Sequence, residues 1–233
     1  MLTGARPSVE QRRGGLTPRA ATFRRRLLRW YSRHARRLPW RGAADPYAVL
    51  VSEIMLQQTQ VARVQEYYPR FLARYPTLED LAAAPADAVR ESWHGLGYYA
   101  RARNLHAAAR RVVADHGGRL PREPERLKKL PGIGRYTAHA VASLGFGADV
   151  ATVDTNIDRV LGRVFGIRGA RKSAARARGV WSRAETLVPR RRSADWNQAL
   201  MDLGATICIA RRPRCEVCPV ASVCRSRRRL LGR

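Results

Sequence analysis

Lysine is scarce in this sequence, and acidic residues are few. Only three lysines are present, Lys128, Lys129 and Lys172, so nearly all of the 45 basic residues are arginine. Aspartate and glutamate together number 18, which leaves a formal net charge of +27 at pH 7. Because each neutralised phosphate releases counterions, this excess favours a nucleic-acid partner. A GC-rich genome would also enrich arginine, so composition alone leaves both interpretations open.

Long apolar segments are also missing. No stretch approaches the roughly 18 consecutive apolar residues of a membrane span. The N-terminal residues, MLTGARPSVEQRRGGLTPRAA, lack the apolar centre of a secretory signal. We expect residues 1–20 to form a basic flexible tail. We also expect a monomeric, cytoplasmic, bacterial-type protein that associates with the nucleoid and makes no membrane contact.

Cysteine is rare and confined to one segment near the C-terminus. The four cysteines follow the spacing Cys-x6-Cys-x2-Cys-x5-Cys, at Cys208, Cys215, Cys218 and Cys224. Clustered cysteines in an intracellular chain favour a metal site over disulfides. Zinc and a cubane iron–sulfur cluster both take four thiolates, and the spacing chemistry alone leaves both open.

The apolar periodicity is helical nearly throughout, with no convincing alternation typical of strands, so we expect an all-α protein. Proline and glycine separate the helices. The predicted helices cover about 22–36, 46–57, 60–74, 78–83, 86–94, 100–116, 124–130, 135–144, 155–165, 173–187 and 194–207.

One acid lies within an apolar run of the second helix. Asp45 and Pro46 form a good helix start, and Glu53 is the only charge between Tyr47 and Leu56. We expect Glu53 to be partly desolvated, which would raise the pKa of its carboxyl and keep a proton available for general acid catalysis. A surface glutamate paired with an arginine is the alternative.

Residues 130–137 read LPGIGRYT and lie between two predicted helices. Two glycines one residue apart, Gly132 and Gly134, make a tight turn and allow close approach of a backbone. A basic residue, Arg135, follows directly. This pattern is typical of the helix-hairpin-helix that contacts DNA phosphates, although a generic helical turn would look similar.

A second acid, Asp154, precedes the amphipathic segment TNIDRVLGR and is a natural N-cap. The helix dipole and amide hydrogen bonds favour its ionised form, so we expect a lowered pKa. With Glu53 shifted upward, the two carboxyls would divide acid and electrostatic roles as in glycosidic cleavage. Helix capping alone would also explain Asp154.

Together these segments resemble the MutY-type adenine DNA glycosylases, helix-hairpin-helix enzymes with an iron–sulfur loop. The resemblance covers roughly residues 20–224. The matching stretches are LPWR and DPYAVLVSEIMLQQTQV (38–61), WHGLGYYARARNL (93–105), LPGIGRYTAHAVASL (130–144), VDTNIDRVLGR (153–163), NQALMDLGATIC (197–208) and the four cysteines. The resemblance implies a two-lobed fold, with a six-helix barrel lobe at 45–150 and a [4Fe-4S] cluster lobe formed by 21–44 plus 151–233.

The resemblance also implies residue roles. Glu53 resembles the acid that protonates a flipped adenine, and Asp154 resembles the carboxylate that stabilises the sugar cation. Tyr136 and Asn156 resemble residues that hold these carboxylates and the incoming water. The positions that match the base pocket are Arg36, Leu38, Trp40 and Arg41. The positions that match DNA-binding residues are Leu56, Gln58, Thr59, Leu96, Tyr98, Gly132, Gly134 and Arg135.

Comparison with related enzymes refines the expected activity. Endonuclease III enzymes carry a lysine nucleophile where this chain has Tyr136, and tyrosine cannot form an imine. We therefore expect a monofunctional enzyme that hydrolyses the N-glycosidic bond of adenine opposite 8-oxoguanine or guanine in double-stranded DNA. The alternatives are a glycosylase for thymine or uracil opposite guanine and, more remotely, a non-catalytic DNA-binding module.

Two features depart from the usual pattern of this family. Typical members carry a further C-terminal domain that helps to recognise 8-oxoguanine, and we expect this domain to be missing because the sequence ends nine residues after Cys224. The preference for 8-oxoguanine over guanine therefore stays open. The common Asp-Gly-Asn is Asp-Thr-Asn at 154–156, a variant that the family accepts.

Overall fold

The computed structural model describes residues 16–42, 45–170 and 173–232, so residues 1–15 of the predicted tail lie outside the described residues. The chain divides into two compact units. The central unit is Arg36–Val150, and the terminal unit joins residues 16–35 to 151–232. Within the described residues there is no strand, which confirms the all-α class, and none of their helices is long and apolar enough to span a membrane.

Twelve α-helices form in the described part of the chain. They are α1 (Pro18–His34), α2 (Pro46–Met55), α3 (Val61–Arg74), α4 (Leu78–Ala83), α5 (Ala86–Ser92), α6 (Ala100–His116), α7 (Pro124–Leu127), α8 (Arg135–Ala140), α9 (Thr155–Phe165), α10 (Ala174–Leu187), α11 (Ser193–Thr206) and α12 (Arg227–Leu230). A π-helical turn, Val141–Gly145, continues α8, and a 3₁₀ turn covers Ala221–Val223.

Helix α2 lies at the centre of the central unit. Its start is fixed by Asp45, whose carboxylate accepts hydrogen bonds from the amides of Tyr47 (2.9 Å) and Ala48 (3.3 Å), and by Pro46 in the first turn. Every residue of α2 after Pro46 is buried, and the helix packs against α3, α6, α8 and the π-helical turn. Glu53 is therefore carried into the interior by a helix that is apolar on all sides.

Several helix boundaries differ from the sequence prediction, and two of the differences have a clear local cause. Helix α1 begins at Pro18 rather than near residue 22, because Thr17 caps it by accepting from the amide of Ala20 at 3.3 Å. The predicted helix 135–144 changes to a π-helical turn at Val141. The spacing of apolar residues is too coarse to reveal one extra residue in a turn, so this widening could not be predicted.

Helices α1, α9, α10 and α11 build the core of the terminal unit. Phe23 of α1 makes edge-to-face contacts with Phe165 (centroids 5.3 Å apart) and Trp196 (5.6 Å). Helices α9 and α11 approach closely at Gly204, where an added Cβ would lie 2.6 Å from the Cβ of Asn156. This contact holds the first turn of α9 against α11.

Candidate active site and cysteine loop

The candidate catalytic residues are divided between the two units. Glu53 and Tyr136 belong to the central unit, whereas Asp154 and Asn156 belong to the terminal unit. Glu53 is 5% exposed, which confirms the predicted desolvation and excludes a surface glutamate. Tyr136 is partly buried on α8, which packs against the helix that carries Glu53. The catalytic roles of these residues stay predictions.

Asp154 is the N-cap of α9, as the sequence predicted. Its Oδ1 accepts from the amide of Ile157 at 2.6 Å, and its Oδ2 accepts from the Asn156 side-chain amide at 2.9 Å. Both carboxylate oxygens are therefore held by donors from the first turn of the helix, which fixes the orientation of the group.

The predicted direction of the Asp154 pKa is wrong. Burial raises the pKa of this carboxyl from its ordinary value of 3.8, because desolvation disfavours the charged form. The hydrogen bonds from Ile157 and Asn156, and the charge of Arg159, lower the pKa but do not outweigh burial. The sequence showed the capping position but not how much protein would cover it.

A chain of hydrogen bonds connects Asp154 to the cysteine segment. Asn156, which donates to Asp154, accepts at its Oδ1 from Nη2 of Arg159 at 2.6 Å. The same guanidinium donates to the carbonyls of Gly204 (2.8 Å) and Cys208 (2.7 Å). Arg159 is therefore a positioning residue that joins the capping network of Asp154 to the backbone of the first cysteine.

The segment 208–224, which we call the cysteine loop, is wrapped around one cavity. None of the four cysteines forms a disulfide. All four line a cavity of about 370 Å³, counting its open side, together with apolar side chains that include Val164, Leu203 and Val220. No group of three or more His, Cys, Asp or Glu side chains in the described residues could hold a single metal ion. Four cysteine side chains around one cavity are the ligand set that a four-thiolate cluster requires.

The protonation of the thiols also bears on what the loop can hold. Burial, with a smaller contribution from the neighbouring cysteines, raises the pKa of Cys218 to about 11. Burial likewise raises the pKa of Cys215 and of Cys224. Without iron the buried thiols keep their protons, so ligation must release them. Cys208, Cys215, Cys218 and Cys224 would hold the cluster, which would supply the charge that stabilises the buried thiolates.

A second arginine of α9 supports the cysteine loop. Arg163 donates through Nη1 to the carbonyls of Cys208 (3.3 Å) and Ile209 (2.7 Å), and through Nη2 to that of Ala210 (2.9 Å). Its Nη1 also lies 3.5 Å from Sγ of Cys208, so it can donate a hydrogen bond to a ligand sulfur. Donors to cluster sulfurs tune stability and reduction potential.

The segment 36–41 forms a short turn in the central unit. The amide of Arg41 donates to the carbonyl of Leu38 at 3.0 Å, and its Nη1 donates to the carbonyl of Arg36 at 3.3 Å. Trp40 is 9% exposed and packs edge-to-face on Tyr68 at 5.7 Å. The four residues predicted to match a base pocket therefore form one local unit, and their contact with a base stays a prediction.

The DNA-binding positions differ in exposure. Gly132, Gly134 and Arg135 are exposed at the hairpin, and Gly132 has φ +72°, a conformation that favours glycine. An added Cβ at Gly134 would meet nothing within 4 Å, so the surface there is open to a close partner.

In each of the two loops predicted to meet DNA, one of the predicted contact residues is exposed. Gln58 is exposed in the loop after α2, between the partly buried Leu56 and Thr59. Tyr98 is 59% exposed, whereas Leu96 is 5% exposed and packs in the core. Of these two residues only Tyr98 is exposed, and the wedge role of both stays a prediction.

Sequence reasoning missed three arginines, Arg101, Arg159 and Arg163, which hold backbone carbonyls within the two units. For Arg101 there was a signal, since it lies two residues after the GLGYY stretch on an otherwise apolar helix face. For Arg159 and Arg163 the spacing of one helical turn on α9 indicates a shared face but not its partners.

Comparison with known proteins identifies the family. Residues 51–183 match the model for the HhH-GPD superfamily base excision DNA repair protein, and residues 208–224 match the iron–sulfur binding domain of endonuclease III. The first match covers more than half of the 233 residues. The chain belongs to the HhH-GPD superfamily of base excision DNA repair proteins. The second match confirms the iron–sulfur interpretation of the four cysteines over zinc.

Within that superfamily the chain is similar to two kinds of glycosylase. It is 48% identical to the adenine DNA glycosylase of Homo sapiens over 217 residues, covering 89% of this chain and 40% of the human protein. It is 39% identical to the thymine-DNA glycosylase of Aeropyrum pernix over 210 residues, covering 88% of this chain and 94% of that protein.

Comparison with solved structures also finds a DNA glycosylase fold. A solved structure of a thermostable thymine-DNA glycosylase matches with a TM-score of 0.84 at 36% identity, covering 91% of this chain and 97% of that chain. Against five of the adenine DNA glycosylases that it resembles, the chain spans only 36% to 58% of the relative's length.

The raised pKa of Asp154 predicts a pH-dependent stability. Between the ordinary pKa of 3.8 and the raised folded value, the native state retains a proton that the unfolded state releases. This contribution to stability is present below pH 3.8 and is lost as pH rises through the folded value. Asp154→Asn removes it, so the Tm of the variant minus that of wild type should increase as pH rises from about 4 to 6.

The matched control is Asp195→Asn, which changes an exposed aspartate paired with Arg192 at 3.0 Å. Its Tm difference from wild type should vary less with pH, because the carboxyl is solvated. Thermal scans of the cluster-containing proteins provide the measurement. A difference for Asp154→Asn that is flat, or that decreases with pH, would contradict the assignment of burial as the dominant influence.

The contacts of Arg163 predict an effect on cluster retention. Arg163→Met removes the donors to three carbonyls and to the Cys208 sulfur, so the cysteine loop should release iron about tenfold faster under a chelator. Decay of the visible absorbance of the cluster measures this rate. Arg178→Met, at an exposed arginine of α10, is the control and should decay like wild type. Equal decay in all three proteins would remove this role from Arg163.

Proposed function

We propose that this protein is a monofunctional adenine DNA glycosylase of base excision repair, acting on adenine opposite 8-oxoguanine or guanine. The observation that carries the proposal is Glu53, a carboxylic acid that is 5% exposed on an otherwise apolar helix. The 48% identity to the human adenine DNA glycosylase, over most of this chain, supports the same assignment.

A buried acid suits a purine leaving group. Adenine carries a basic ring nitrogen, N7, outside the glycosidic bond, and protonation there makes the base a better leaving group. Thymine has no comparable basic nitrogen, so a proton donor is less useful for its release. We therefore propose that Glu53, which is shielded from solvent, delivers this proton as a general acid.

Asp154 supplies the complementary charge. As the glycosidic bond breaks, positive charge develops on the sugar, as in other glycosidic cleavages. A carboxylate whose ionisation is opposed by burial gains more from a nearby cation than a well-solvated one does. The donors from Ile157 and Asn156 fix both oxygens, so little reorganisation is needed when the cation forms.

Hydrolysis without strand cleavage follows from residue 136. A lyase needs an amine that attacks the sugar and forms an imine, and Tyr136 has none. Its partly buried phenol can instead orient a neighbouring carboxyl or the incoming water. Asn156, which already holds Asp154, is the second residue suited to positioning water.

We propose double-stranded chromosomal DNA as the partner, bound by a monomer. The formal charge of +27 supplies long-range attraction to phosphates. The exposed hairpin glycines, with Arg135 directly after them, offer an open backbone surface for phosphate contact. Gln58 and Tyr98 are exposed and could enter the space left by an everted base.

A second candidate, thymine or uracil opposite guanine, is favoured by a specific observation. The chain covers 94% of the Aeropyrum pernix thymine-DNA glycosylase, which is nearly its whole length, and it shares a fold at TM-score 0.84 with a thermostable thymine-DNA glycosylase. We rank this candidate second because the identity is lower and because a buried acid is more useful for a purine.

A base-release assay tests the proposal. Duplexes carrying adenine, thymine or uracil opposite guanine or 8-oxoguanine are incubated with the cluster-containing protein and then cleaved with hot alkali. Adenine duplexes should be cut after alkali only, because hydrolysis leaves an intact abasic strand. Glu53→Gln and Asp154→Asn should each slow release about 100-fold or more while duplex binding changes little.

The control is Asp195→Asn, an exposed aspartate of α11 outside the proposed site, which should release adenine at the wild-type rate. Release of thymine or uracil without adenine would support the second candidate. Strand cleavage without alkali would overturn the monofunctional assignment. Duplex binding with no base released from any substrate would leave only a DNA-binding role.

A further inference from the structure

Arg101 is a buried cation in the central unit. It lies in the first turn of α6 and is 8% exposed, and burial lowers the pKa of its guanidinium from the ordinary arginine value. Removing a guanidinium from water is costly unless its donors find partners. The hydrogen-bond partners of Arg101 are mostly backbone carbonyls of two loops, which indicates that Arg101 stabilises those loops.

One guanidinium nitrogen serves the end of α2 and the loop that follows it. Nη1 donates to the carbonyls of Ile54 (3.1 Å) and Met55 (2.8 Å), and also to that of Gln57. Nη2 reaches the same loop through Oγ1 of Thr59 at 2.9 Å. Four atoms of the segment 54–59 are thereby bound to a single side chain.

The other nitrogen also binds the loop before α6. Nη2 donates to the carbonyls of Leu96 (3.2 Å) and Gly97 (3.0 Å). The guanidinium carbon lies 5.4 Å from the ring centre of Tyr98 and 5.6 Å from that of Trp93. Arg101 therefore connects the 54–59 segment to the 96–98 segment through one planar, rigid group.

The two loops share an unusual backbone feature. Gln58 (φ 58°) and Tyr98 (φ 49°) both adopt the left-handed conformation that L-residues with side chains rarely take. The carbonyls that precede them belong to Gln57 and Gly97, and Arg101 binds both. Because φ of a residue is set by the orientation of the preceding peptide plane, fixing these carbonyls fixes the strained residues.

We propose that Arg101 is a positioning residue that holds Gln58 and Tyr98 together in left-handed conformations, so that both exposed side chains meet the DNA duplex as one preorganised wedge. This inference rests on the proposed function, because it assigns the wedge to base eversion. Without Arg101 the two loops relax separately, and the duplex must then order them as it binds. Loss of Arg101 should therefore slow the extrusion of the target base and not the cleavage of the glycosidic bond that follows.

Three variants separate these effects. Arg101→Met removes every donor, whereas Arg101→Lys keeps the charge but offers one nitrogen in place of a planar fork. Arg110→Met, at an exposed position of the same helix, is the control for lost charge. Tm and cluster absorbance report folding, and Arg101→Lys carries the test if Arg101→Met does not fold.

Hydrogen–deuterium exchange on the free proteins tests, without any substrate, whether Arg101 holds the two loops. In Arg101→Met, residues 56–60 and 95–99 should both lose protection, and in Arg101→Lys they should lose less. Arg110→Met should match wild type in both loops. Unchanged protection in Arg101→Met, or a loss of protection in only one loop, would overturn the proposal that Arg101 holds the two loops together.

Base eversion is tested with 2-aminopurine placed beside the target adenine, because its fluorescence rises when it unstacks. Single-turnover release is then compared on two duplexes, one with adenine opposite guanine and one with adenine opposite an abasic site. Arg101→Met should lose the fluorescence rise and slow release about 10- to 100-fold on the first duplex, with a much smaller defect on the second, where eversion costs less. Arg101→Lys should lie between.

The outcomes distinguish this inference from the proposed function. An equal slowing on both duplexes, with a normal fluorescence rise, would overturn the eversion role. If wild type releases no adenine, the proposed function fails, while the exchange results on the free proteins still decide whether Arg101 holds the two loops together.

Discussion

The orientation of the Asp154 carboxylate is the constraint on which the terminal unit depends. Its two oxygens are held by Ile157 and Asn156, and Asn156 is held in turn by Arg159. Arg159 also donates a hydrogen bond to the carbonyl of Cys208. A continuous path of hydrogen bonds therefore runs from the Asp154 carboxylate, through the side chains of Asn156 and Arg159, to the backbone of the first cysteine. A cluster held by the four cysteines would therefore anchor the outer end of this path at Cys208.

Arginine serves two purposes in this chain. The net charge of +27 indicated a phosphate partner, and the exposed arginines are available for that purpose. Several others point inward and bind carbonyls: Arg19 reaches Val164, Arg101 reaches the loop after α2, Arg159 and Arg163 reach the cysteine loop, and Arg176 reaches Ile167. The planar fork allows one side chain to hold two segments, which lysine does less well. The excess of arginine over lysine therefore reflects internal architecture as well as the proposed affinity for DNA.

Local signals in the sequence predicted what depends on neighbouring residues. The start of α2 at Asp45 and Pro46, the cap at Asp154 and the burial of Glu53 followed from residues within one or two helical turns. The pKa direction of Asp154 did not follow, because burial depends on segments distant in sequence. The partners of Arg101, up to 47 residues away, were invisible for the same reason. The π-helical turn was not predicted, because the spacing of apolar residues changes too little when a single residue is inserted in a turn.

We propose that base release depends on an oriented, partly buried Asp154 as well as on the acid Glu53. The most direct test of this claim is the single-turnover rate of adenine release by Arg159→Met, compared with wild type at equal cluster content. The rate should fall about tenfold or more, because Asn156 loses its support and the carboxylate loses one fixed donor. A wild-type rate in the cluster-loaded variant would contradict the account, since Asp154 would then function without the network that holds it.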